Sequence, residues 1–336
     1  MSSDFINSLV ERAKQTPRRI CLPESASADV LRLAEAIVAS GVGTPVLVGN
    51  KTAVEQLAAD SGIATHGFEY FDNTDETVIA EFANEFVSKF DLFSLKACIR
   101  RIKDNLLCSM LLLKAGHVDC TAAGKECPTG DVIMGAMGIV GLNDGVTSPS
   151  SLGIADIPGF DGPQGTMLAL GDCAITAQPD AKTLAGIAIS SADTVQSLMG
   201  WEPRVALLSF STKGSANHET IDVVRDAVAK VHELRPDIKC DGELQLDSAI
   251  IPSVAAHKVK GESEVAGKAN VLIFPNLHAG NIGVKMVQIF GHANAYGPIL
   301  QGFAKPVCDF SRSAPTEEML GNVSMLVIRA AAQVKE

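Results

Sequence analysis

The sequence predicts an α/β protein with two domains. Its 336 residues suit two domains of about 150 residues, a size at which each buries its own core. Hydrophobic residues make up 46% and charged residues 20% of the chain, which is typical of globular proteins and excludes a disordered one. Short aliphatic runs alternate with helical stretches almost from end to end. This order predicts parallel strands with right-handed crossover connections.

The N-terminal part of the chain begins this alternation. An aliphatic run at 19–23 stops at a proline, and residues 29–40 follow with apolar side chains at helical spacing. The next run, 44–49, ends at Gly49-Asn50, which marks a turn. We therefore predict strands at 19–23 and 44–49 and helices at 1–15, 29–40, 51–61 and 105–115.

The remainder of the chain repeats the pattern after an interruption. Residues 141–166 are rich in Gly, Pro, Ser and Asp, and they make the best candidate for a linker or domain boundary. Beyond them we predict strands at 166–171, 204–210, 271–274 and 305–310 and helices at 181–199, 218–234, 280–290 and 316–333.

Composition and charge exclude several classes of function. The 28 Lys and Arg against 39 Asp and Glu give a formal net charge of −11, and no basic run favours nonspecific nucleic-acid binding. No uncharged apolar run approaches the roughly 18 residues of a spanning helix, and residues 1–15 lack the apolar block of a signal peptide. The 8 cysteines are scattered without a Cys-x-x-Cys pair. We therefore expect a cytoplasmic protein with reduced thiols, no membrane segment and no metal site.

The strand-to-helix turns are the candidate ligand sites, because an open α/β sheet binds ligands outside the carboxyl ends of its strands. One turn carries hydroxyls, a lysine and a glycine, namely Ser211, Thr212, Lys213, Gly214 and Ser215. With free amides at the start of the following helix, these groups suit a phosphate or another oxyanion. A hydroxyl-rich helix cap is the alternative.

Two further turns carry polar groups that could contact a ligand. The turn after the strand at 271–274 contributes the amide donors Asn276 and Asn281. An earlier turn carries Lys125 and Thr129, which suit phosphate, although it lacks the Gly-Lys-Ser/Thr ending of a P-loop. A solvated surface lysine is the alternative interpretation of Lys125.

The turn after the strand at 305–310 combines a hydroxyl, a guanidinium and carboxylates. Ser311 and Arg312 are followed by Glu317 and Glu318, where a helix begins. Such groups can bind an anion, orient a nucleophile and accept a proton. The alternative is an ordinary acidic helix start with a surface arginine.

Five motifs occur in a fixed order in the second half of the chain. They are 207–216 (LLSFSTKGSA), 241–247 (DGELQLD), 274–276 with 279–282 (FPN and AGNI), 297–302 (GPILQG) and 309–312 (DFSR). The set closely resembles phosphate acetyltransferases (phosphotransacetylases), in particular the short single-module form that includes the ethanolamine-utilisation type. The resemblance is dense from about residue 165 onward and weaker but collinear before it.

The resemblance implies reversible acetyl transfer, in which acetyl-CoA and phosphate give CoA and acetyl phosphate. It implies coenzyme A as a substrate, no other cofactor, and usually a homodimer. The implied fold has two three-layer α/β domains of the isocitrate/isopropylmalate dehydrogenase-like type, with an active site in an interdomain cleft. Because the last strand and helix of the family return to the N-terminal domain, we expect residues 1–145 with 298–336 to form one domain and 146–297 the other.

The resemblance also implies which residues react. Ser311 and Arg312 match the family's Ser-Arg pair, which orients the CoA thiol and holds the phosphate or carbonyl oxygen. Glu318 stands where the family commonly has an aspartate as proton acceptor, and it is one methylene longer. The thiolate then attacks acetyl phosphate directly, without an acyl-enzyme. The implied substrate-binding residues are Ser211, Thr212, Lys213, Gly214, Ser215, Asn276, Asn281, Thr129 and Lys125.

Two arginines that are usual in the family are missing. Met134 stands in place of one, and Lys89 is only a loose counterpart of the other; Lys125, Arg100 and Arg101 are the candidates to replace them. Each charge-assisted contact is worth roughly 1.5–3 kcal/mol, so the loss is large. Two alternatives to an acetyltransferase therefore stay open. One is a transferase that prefers a longer acyl chain, and the other is a noncatalytic regulatory module that binds CoA or acyl phosphate. An oxidoreductase of the same broad fold would need carboxylate metal ligands and a nicotinamide site, and the sequence shows neither clearly.

Overall fold

The computed structural model describes residues 3–333 and contains alternating helices and strands. The helices are α1 (Ser3–Ala13), α2 (Ala28–Ser40), α3 (Lys51–Asp60), α4 (Glu76–Lys89), α5 (Leu95–Ile102), α6 (Asn105–Ala115), α7 (Thr129–Gly135), α8 (Ala181–Met199), α9 (Glu219–Leu234), α10 (Leu246–Ile250), α11 (Pro252–Lys258), α12 (Leu277–Phe290) and α13 (Thr316–Gln333). A π-helical segment, Ala136–Val140, continues α7. The strands are β1 (Arg18–Leu22), β2 (Gly43–Val48), β3 (Glu69–Phe71), β4 (Cys120–Ala123), β5 (Ser150–Asp156), β6 (Met167–Gly171), β7 (Arg204–Leu208), β8 (Lys239–Leu244), β9 (Val271–Ile273), β10 (Asn294–Gln301) and β11 (Val307–Asp309).

The chain forms two compact units. The first unit contains the described residues of 3–141 and 303–333, and the second contains residues 142–302. The chain therefore passes from the first unit into the second and returns to complete the first.

The first unit is built on a parallel sheet of five strands in the order β11-β4-β1-β2-β3. Its inner strand β1 carries Ile20, Cys21 and Leu22, all fully buried, which is typical of a parallel strand covered on both faces. Helix α13 packs against β1, β4 and β11 together with α1 and α2, and α6 packs against β1, β2 and β4. The carboxyl ends of β4 and β11 lie side by side, with Ala123 opposite Asp309.

The second unit is built on a six-stranded sheet in the order β10-β5-β6-β9-β7-β8. Strand β5 is antiparallel to both of its neighbours, and the other pairs are parallel. In β6, Leu168 and Leu170 face an apolar cluster that contains Ala249 of α10. Gly171, the next residue along the strand, faces Ser191 of α8. Alternate residues of one strand therefore face helices on opposite sides of the sheet, which makes three layers.

Most of the predicted helices and strands are confirmed. The segment 141–166, predicted as a linker or domain boundary, begins at a boundary between the two units, but it is not a linker. Residues 141–166 contain β5, a buried strand that pairs with β10 on one side and β6 on the other. The units exchange at 141/142 and 302/303, a few residues from the predicted 145/146 and 297/298, because all of β10 pairs with β5. Residues 1 and 2 of the first predicted helix lie outside the described residues.

Within residues 3–333, no helix is both long enough and apolar enough to cross a membrane.

Candidate active site

The turn after β11 presents two exposed residues that are predicted to react, Ser311 and Arg312. Phe310 is 2% exposed, and its amide donates to the carbonyl of Ala123 at 2.7 Å, which anchors the turn to β4. Ser311 and Arg312 are exposed, and the Ser311 hydroxyl lies 3.1 Å from the Ser313 hydroxyl. Half-buried Glu318 lies in the first turn of α13. Within the described residues, Arg312 has no ion pair.

Asp309 lies directly before this turn and is tied to a second predicted residue. The Thr129 hydroxyl donates to Asp309 Oδ2 at 2.6 Å. Asp309 Oδ1 is buried and has no hydrogen-bond partner. Burial raises the pKa of Asp309, the bond from Thr129 lowers it, and the nearby Glu24 carboxyl raises it. Gly124, at φ +103°, is required here, because a Cβ would lie 2.2 Å from Asp309 Oδ1.

The loop between β4 and α7 is folded around a buried carboxylate. Glu24, at the end of β1, is 8% exposed and accepts hydrogen bonds from four consecutive backbone amides. The donors are Gly124 at 3.2 Å, Lys125 at 3.0 Å, Glu126 at 2.9 Å and Cys127 at 2.7 Å. Successive amides of this kind form an anion-binding concavity, and here a side chain of the protein occupies it.

Lys125 of this loop is neither a solvated lysine nor an unpaired cation. Its ammonium donates to the carbonyl of Ala314 at 3.0 Å and lies 3.2 Å from Asp29 Oδ2. The Lys125 side chain is 9% exposed. The structure therefore brings Lys125, Thr129 and Ser311 to one end of the first sheet, with Lys125 contacting the turn rather than solvent.

The loop after β7 uses its hydroxyls internally. Ser211 is fully buried and donates to Glu243 Oε1 at 2.9 Å. The Thr212 hydroxyl lies 3.0 Å from the Ser248 hydroxyl, and the Thr212 amide donates to Ser215 Oγ at 3.0 Å. These three hydroxyls hold the loop against β8 and α10, so the arrangement is a structural network as well as a candidate anion site.

The lysine and the glycine of the same loop also have partners within the second unit. The Lys213 ammonium forms an ion pair with Asp241 and donates to the carbonyl of Gly242 at 3.1 Å. Gly214 adopts φ +86°, which favours glycine, and its amide donates to Glu243 Oε1 at 2.7 Å. Of the loop's polar groups, most therefore have partners within the second unit.

Glu243 is the anchor of this loop, and sequence reasoning did not single it out. Its carboxylate is 2% exposed and accepts two bonds from Arg225, at 2.9 and 3.1 Å. Burial raises the pKa of Glu243, but the bonds from Arg225, the Gly214 amide and Ser211 lower it further, to about 2. In the sequence, an acid that pairs with a distant arginine cannot be distinguished from a member of a surface ion pair, because burial is not visible in the sequence.

The two predicted amide donors lie at the start of α12. Asn276 caps this helix, and its Oδ1 accepts the amide of Ala279 at 3.0 Å. The Asn281 side-chain amide donates to the carbonyl of Cys173 at 3.3 Å. The carboxyl ends of β7 and β9 are neighbours in the sheet, so the structure brings this turn and the 211–215 loop to one edge of the second unit.

A cavity of about 600 Å³ in the first unit contains the position where the family arginine is missing. Met134 lines it with 68% of its surface exposed, and Leu107 and Ile139 add apolar surface. Arg101 also lines it, with its guanidinium 3.9 Å from the centre of the Phe93 ring. Of the three candidate replacement cations, only Arg101 lines this cavity.

Lys89, the loose counterpart of the second missing arginine, pairs with Glu85 on α4 at 2.7 Å. Its ammonium is therefore already matched by a carboxylate one helical turn away.

A larger cavity of about 830 Å³ lies beside the edge strand β8 of the second unit. Three lysines at this cavity are held in ion pairs, Lys213 with Asp241, Lys239 with Glu264 and Lys258 with Asp247. The charges of these three lysines are largely matched by neighbouring carboxylates, whereas Lys260, which also lines the cavity, is exposed and has no ion pair among residues 3–333.

The protein thiols are poorly suited to nucleophilic chemistry. All eight cysteines are free, and burial raises the pKa of each. Cys127, in the loop between β4 and α7, has its pKa raised to about 12 by burial and by Glu24. A thiol must ionise to attack, so none is activated. Residues 3–333 also contain no group of three or more His, Cys, Asp or Glu that could hold a metal ion.

Comparison with known proteins agrees with the motif order over nearly the whole chain. Residues 4–328 match the family described as Phosphate acetyl/butaryl transferase. A phosphate acetyltransferase of Thermoanaerobacterium thermosaccharolyticum is 38% identical over 328 residues, which is 97% of this chain and 99% of that enzyme.

Solved structures agree with the sequence relatives. The EutD phosphotransacetylase from Staphylococcus aureus superposes with a TM-score of 0.86 at 32% identity, covering 98% of each chain. A phosphotransacetylase from Streptococcus pyogenes gives a TM-score of 0.89 at 30% identity, covering 99% of each chain. The chain therefore belongs to the Phosphate acetyl/butaryl transferase family and is a transferase enzyme.

Proposed function

We propose that this protein transfers an acetyl group reversibly between coenzyme A and phosphate, with Ser311, Arg312 and Glu318 as its reacting groups. The observation that carries the assignment of residues is Arg312, an exposed guanidinium without an ion pair among the described residues, flanked by hydroxyls at the carboxyl end of β11. Full-length similarity to phosphate acetyltransferases supports the reaction.

The reaction needs a base, because a CoA thiol has a pKa of roughly 8.5. Glu318 accepts the thiol proton, and the Ser311 hydroxyl orients the sulfur. The thiolate attacks the carbonyl carbon of acetyl phosphate, a C–S bond forms, and the C–O bond to phosphate breaks with its electron pair leaving on phosphate. Arg312 stabilises the negative charge that develops on the carbonyl or phosphate oxygen. The reverse direction uses phosphate as the nucleophile on acetyl-CoA.

The nucleophile is the substrate's own thiol, and no resident cofactor takes part. The raised pKa values of the protein cysteines support this direct route over an acyl-enzyme. The eight free cysteines support a cytoplasmic location.

Arg101 supplies the positive charge that Met134 does not. Both side chains line the same cavity, and stacking on Phe93 holds the guanidinium in place while leaving most of its N–H groups available. The apolar side chains beside it would also tolerate a longer acyl chain.

The protein forms a homodimer through helix α12. Four apolar side chains on one face of α12 are more than half exposed, namely Ile282 (56%), Met286 (53%), Ile289 (65%) and Phe290 (75%). An apolar patch of this kind marks an interaction surface, and a second copy presenting the same patch would cover it symmetrically.

The decisive experiment measures CoA-dependent thioester formation from acetyl, propionyl and butyryl phosphates in the presence of EDTA. We expect turnover that falls about 100- to 1,000-fold in kcat in Arg312→Ala, the usual loss when one donor to a developing charge is removed. Arg100→Ala is the matched control, because Arg100 is also exposed and does not line the cavity. Absence of turnover from a folded protein that binds CoA would favour the noncatalytic binding module instead.

A further inference from the structure

Two side chains, Lys125 of the loop between β4 and α7 and Thr129 at the start of α7, contact the two ends of the Ser311–Arg312 turn. On the N-terminal side, the Thr129 hydroxyl donates to Asp309 at 2.6 Å. On the C-terminal side, the Lys125 ammonium donates to the carbonyl of Ala314 at 3.0 Å. The exposed, reacting residues lie between these two contacts.

The loop that carries Lys125 and leads into α7 is itself held in place by hydrogen bonds. Four amides, from Gly124 to Cys127, donate to the buried Glu24 carboxylate at 2.7–3.2 Å. Lys125 is further fixed by Asp29, 3.2 Å away, and its side chain is 9% exposed. A buried and fully partnered ammonium is poorly placed to receive a diffusing anion, but it is well placed to hold a carbonyl.

The turn also fits closely against the loop. The Phe310 amide donates to Ala123, and a Cβ on Gly124 would lie 2.7 Å from the Phe310 nitrogen. The one polar atom left over at this junction is Asp309 Oδ1, which is buried without a partner. Asp309 therefore depends on Thr129 for its side-chain hydrogen bond, and this contact adds a side-chain tie to the backbone bond from Phe310 that anchors the start of the turn.

We infer that Lys125 and Thr129 are positioning residues that hold Ser311 and Arg312 in reacting geometry. This inference rests on the proposed function of Ser311 and Arg312, and it replaces the ligand role expected for Lys125 and Thr129 from the sequence. Placing a reacting group about 1 Å out of position can cost about 100-fold in rate, so such contacts are worth more to kcat than to affinity.

The test is a double-mutant cycle between Thr129 and Arg312, read as kcat and KM separately. We expect Thr129→Val to lower kcat about 10- to 100-fold with KM changed less than about twofold, and Thr129→Ser to restore kcat by restoring the hydroxyl. In an Arg312→Ala background, Thr129→Val should lower kcat several-fold less than in the unmodified protein, because only Ser311 then remains to be misplaced.

Thr74→Val is the matched control. The Thr74 hydroxyl donates to Asp72 Oδ1 at 2.6 Å, as Thr129 does to Asp309, but this turn follows β3 at the opposite edge of the same sheet. We expect the control to leave kcat within about twofold of the unmodified protein. Melting temperatures, with all assays run well below them, separate loss of positioning from loss of fold.

Two results would overturn the inference. One is a rise in KM without a fall in kcat in Thr129→Val, which would make Thr129 a substrate ligand. The other is an equal fall in kcat with and without Arg312, which would show that Thr129 does not position Arg312. If Arg312→Ala alone leaves kcat unchanged, the proposed function of the turn fails first, and that result is distinct from the other two.

Discussion

Glu24 in the first unit and Glu243 in the second have the same structural role, because each holds a polar loop in place. Each is a buried carboxylate that accepts hydrogen bonds from the backbone of a polar loop, four in the case of Glu24 and one, from Gly214, in the case of Glu243. Each of these loops follows the carboxyl end of a strand. The sequence directs attention to the loop hydroxyls, because hydroxyls and glycines are what an anion site requires. The carboxylates that fix those loops lie 29 or more residues away along the chain, so only the folded structure connects them.

The low pKa of Glu243 predicts acid sensitivity of the second unit. Its folded-state pKa is about 2 against an ordinary 4.5, so its contribution to stability is complete above about pH 4.5 and is lost as pH falls toward 2. Glu243→Gln should lower the free energy of unfolding by about 3 kcal/mol at pH 7 and flatten its dependence on pH in this window. Urea unfolding at several pH values measures both effects.

Glu233→Gln provides the control for this prediction, since Glu233 is an exposed carboxylate on α9 of the same unit. It should leave the free energy of unfolding within about 0.5 kcal/mol of the unmodified protein. An unchanged pH dependence in Glu243→Gln would contradict the assigned role.

At the scale of elements, β5 is one of five strands that sequence reasoning missed, with β3, β4, β8 and β10, and it lies within the segment predicted as a linker or domain boundary. Its residues, Ser150 to Asp156, contain few β-branched side chains and are flanked by Gly- and Pro-rich turns, which is the composition of a loop. The segment becomes a strand because β10 and β6 pair with it on both sides, and the buried Gln301 amide donates to the Ser150 hydroxyl at 3.0 Å. Long-range pairing of this kind leaves no local signal.

Many of the elements could be predicted, and so could several turns that carry polar groups. Helices α6, α8 and α13 begin and end at the residues expected from the pattern. The Ser311–Arg312 turn could be predicted because a hydroxyl, a guanidinium and two carboxylates follow a predicted strand within a few residues. The partners of Lys125 and Thr129 could not be predicted, because they lie about 180 residues away.

Arg101 on α5 and Met134 on α7 allow a test of which residue replaces the missing family arginine. If Arg101 on α5 supplies the positive charge, Arg101→Ala should raise KM for acetyl phosphate about 10-fold or more, since a charge-assisted contact is lost. Met134→Arg on α7 should recover much of the loss in the Arg101→Ala background. Steady-state kinetics at varied acetyl phosphate gives the answer.

Arg100→Ala serves as the neighbouring control, with an expected KM within about twofold of the unmodified enzyme. A larger effect from Arg100 than from Arg101 would contradict the assignment of the cavity.

At the scale of the whole molecule, the exposed face of α12 predicts a dimer. Placing a carboxylate at its centre with Ile289→Glu should convert the dimer to a monomer, because two like charges would then meet across a symmetric, desolvated contact. Sedimentation velocity measures the change directly. Leu234→Glu, at an apolar residue 48% exposed on α9, should leave the assembly unchanged.

A monomeric unmodified protein, or a dimer that persists in Ile289→Glu, would show that α12 is not the interface.

The return of the chain to its first unit determines the order in which the protein is completed on the ribosome. Residues 142–302 are all synthesised before β11 and α13, so the second unit can fold first. At that stage β4 has β1 beside it but not β11, and α1 does not yet have α13 to pack against. The nascent first unit is therefore the part that needs protection from aggregation. Ser311, Arg312 and Glu318 all belong to this late segment. On the proposed assignment of the reacting residues, the part of the first unit that is synthesised last therefore carries the groups for acyl transfer.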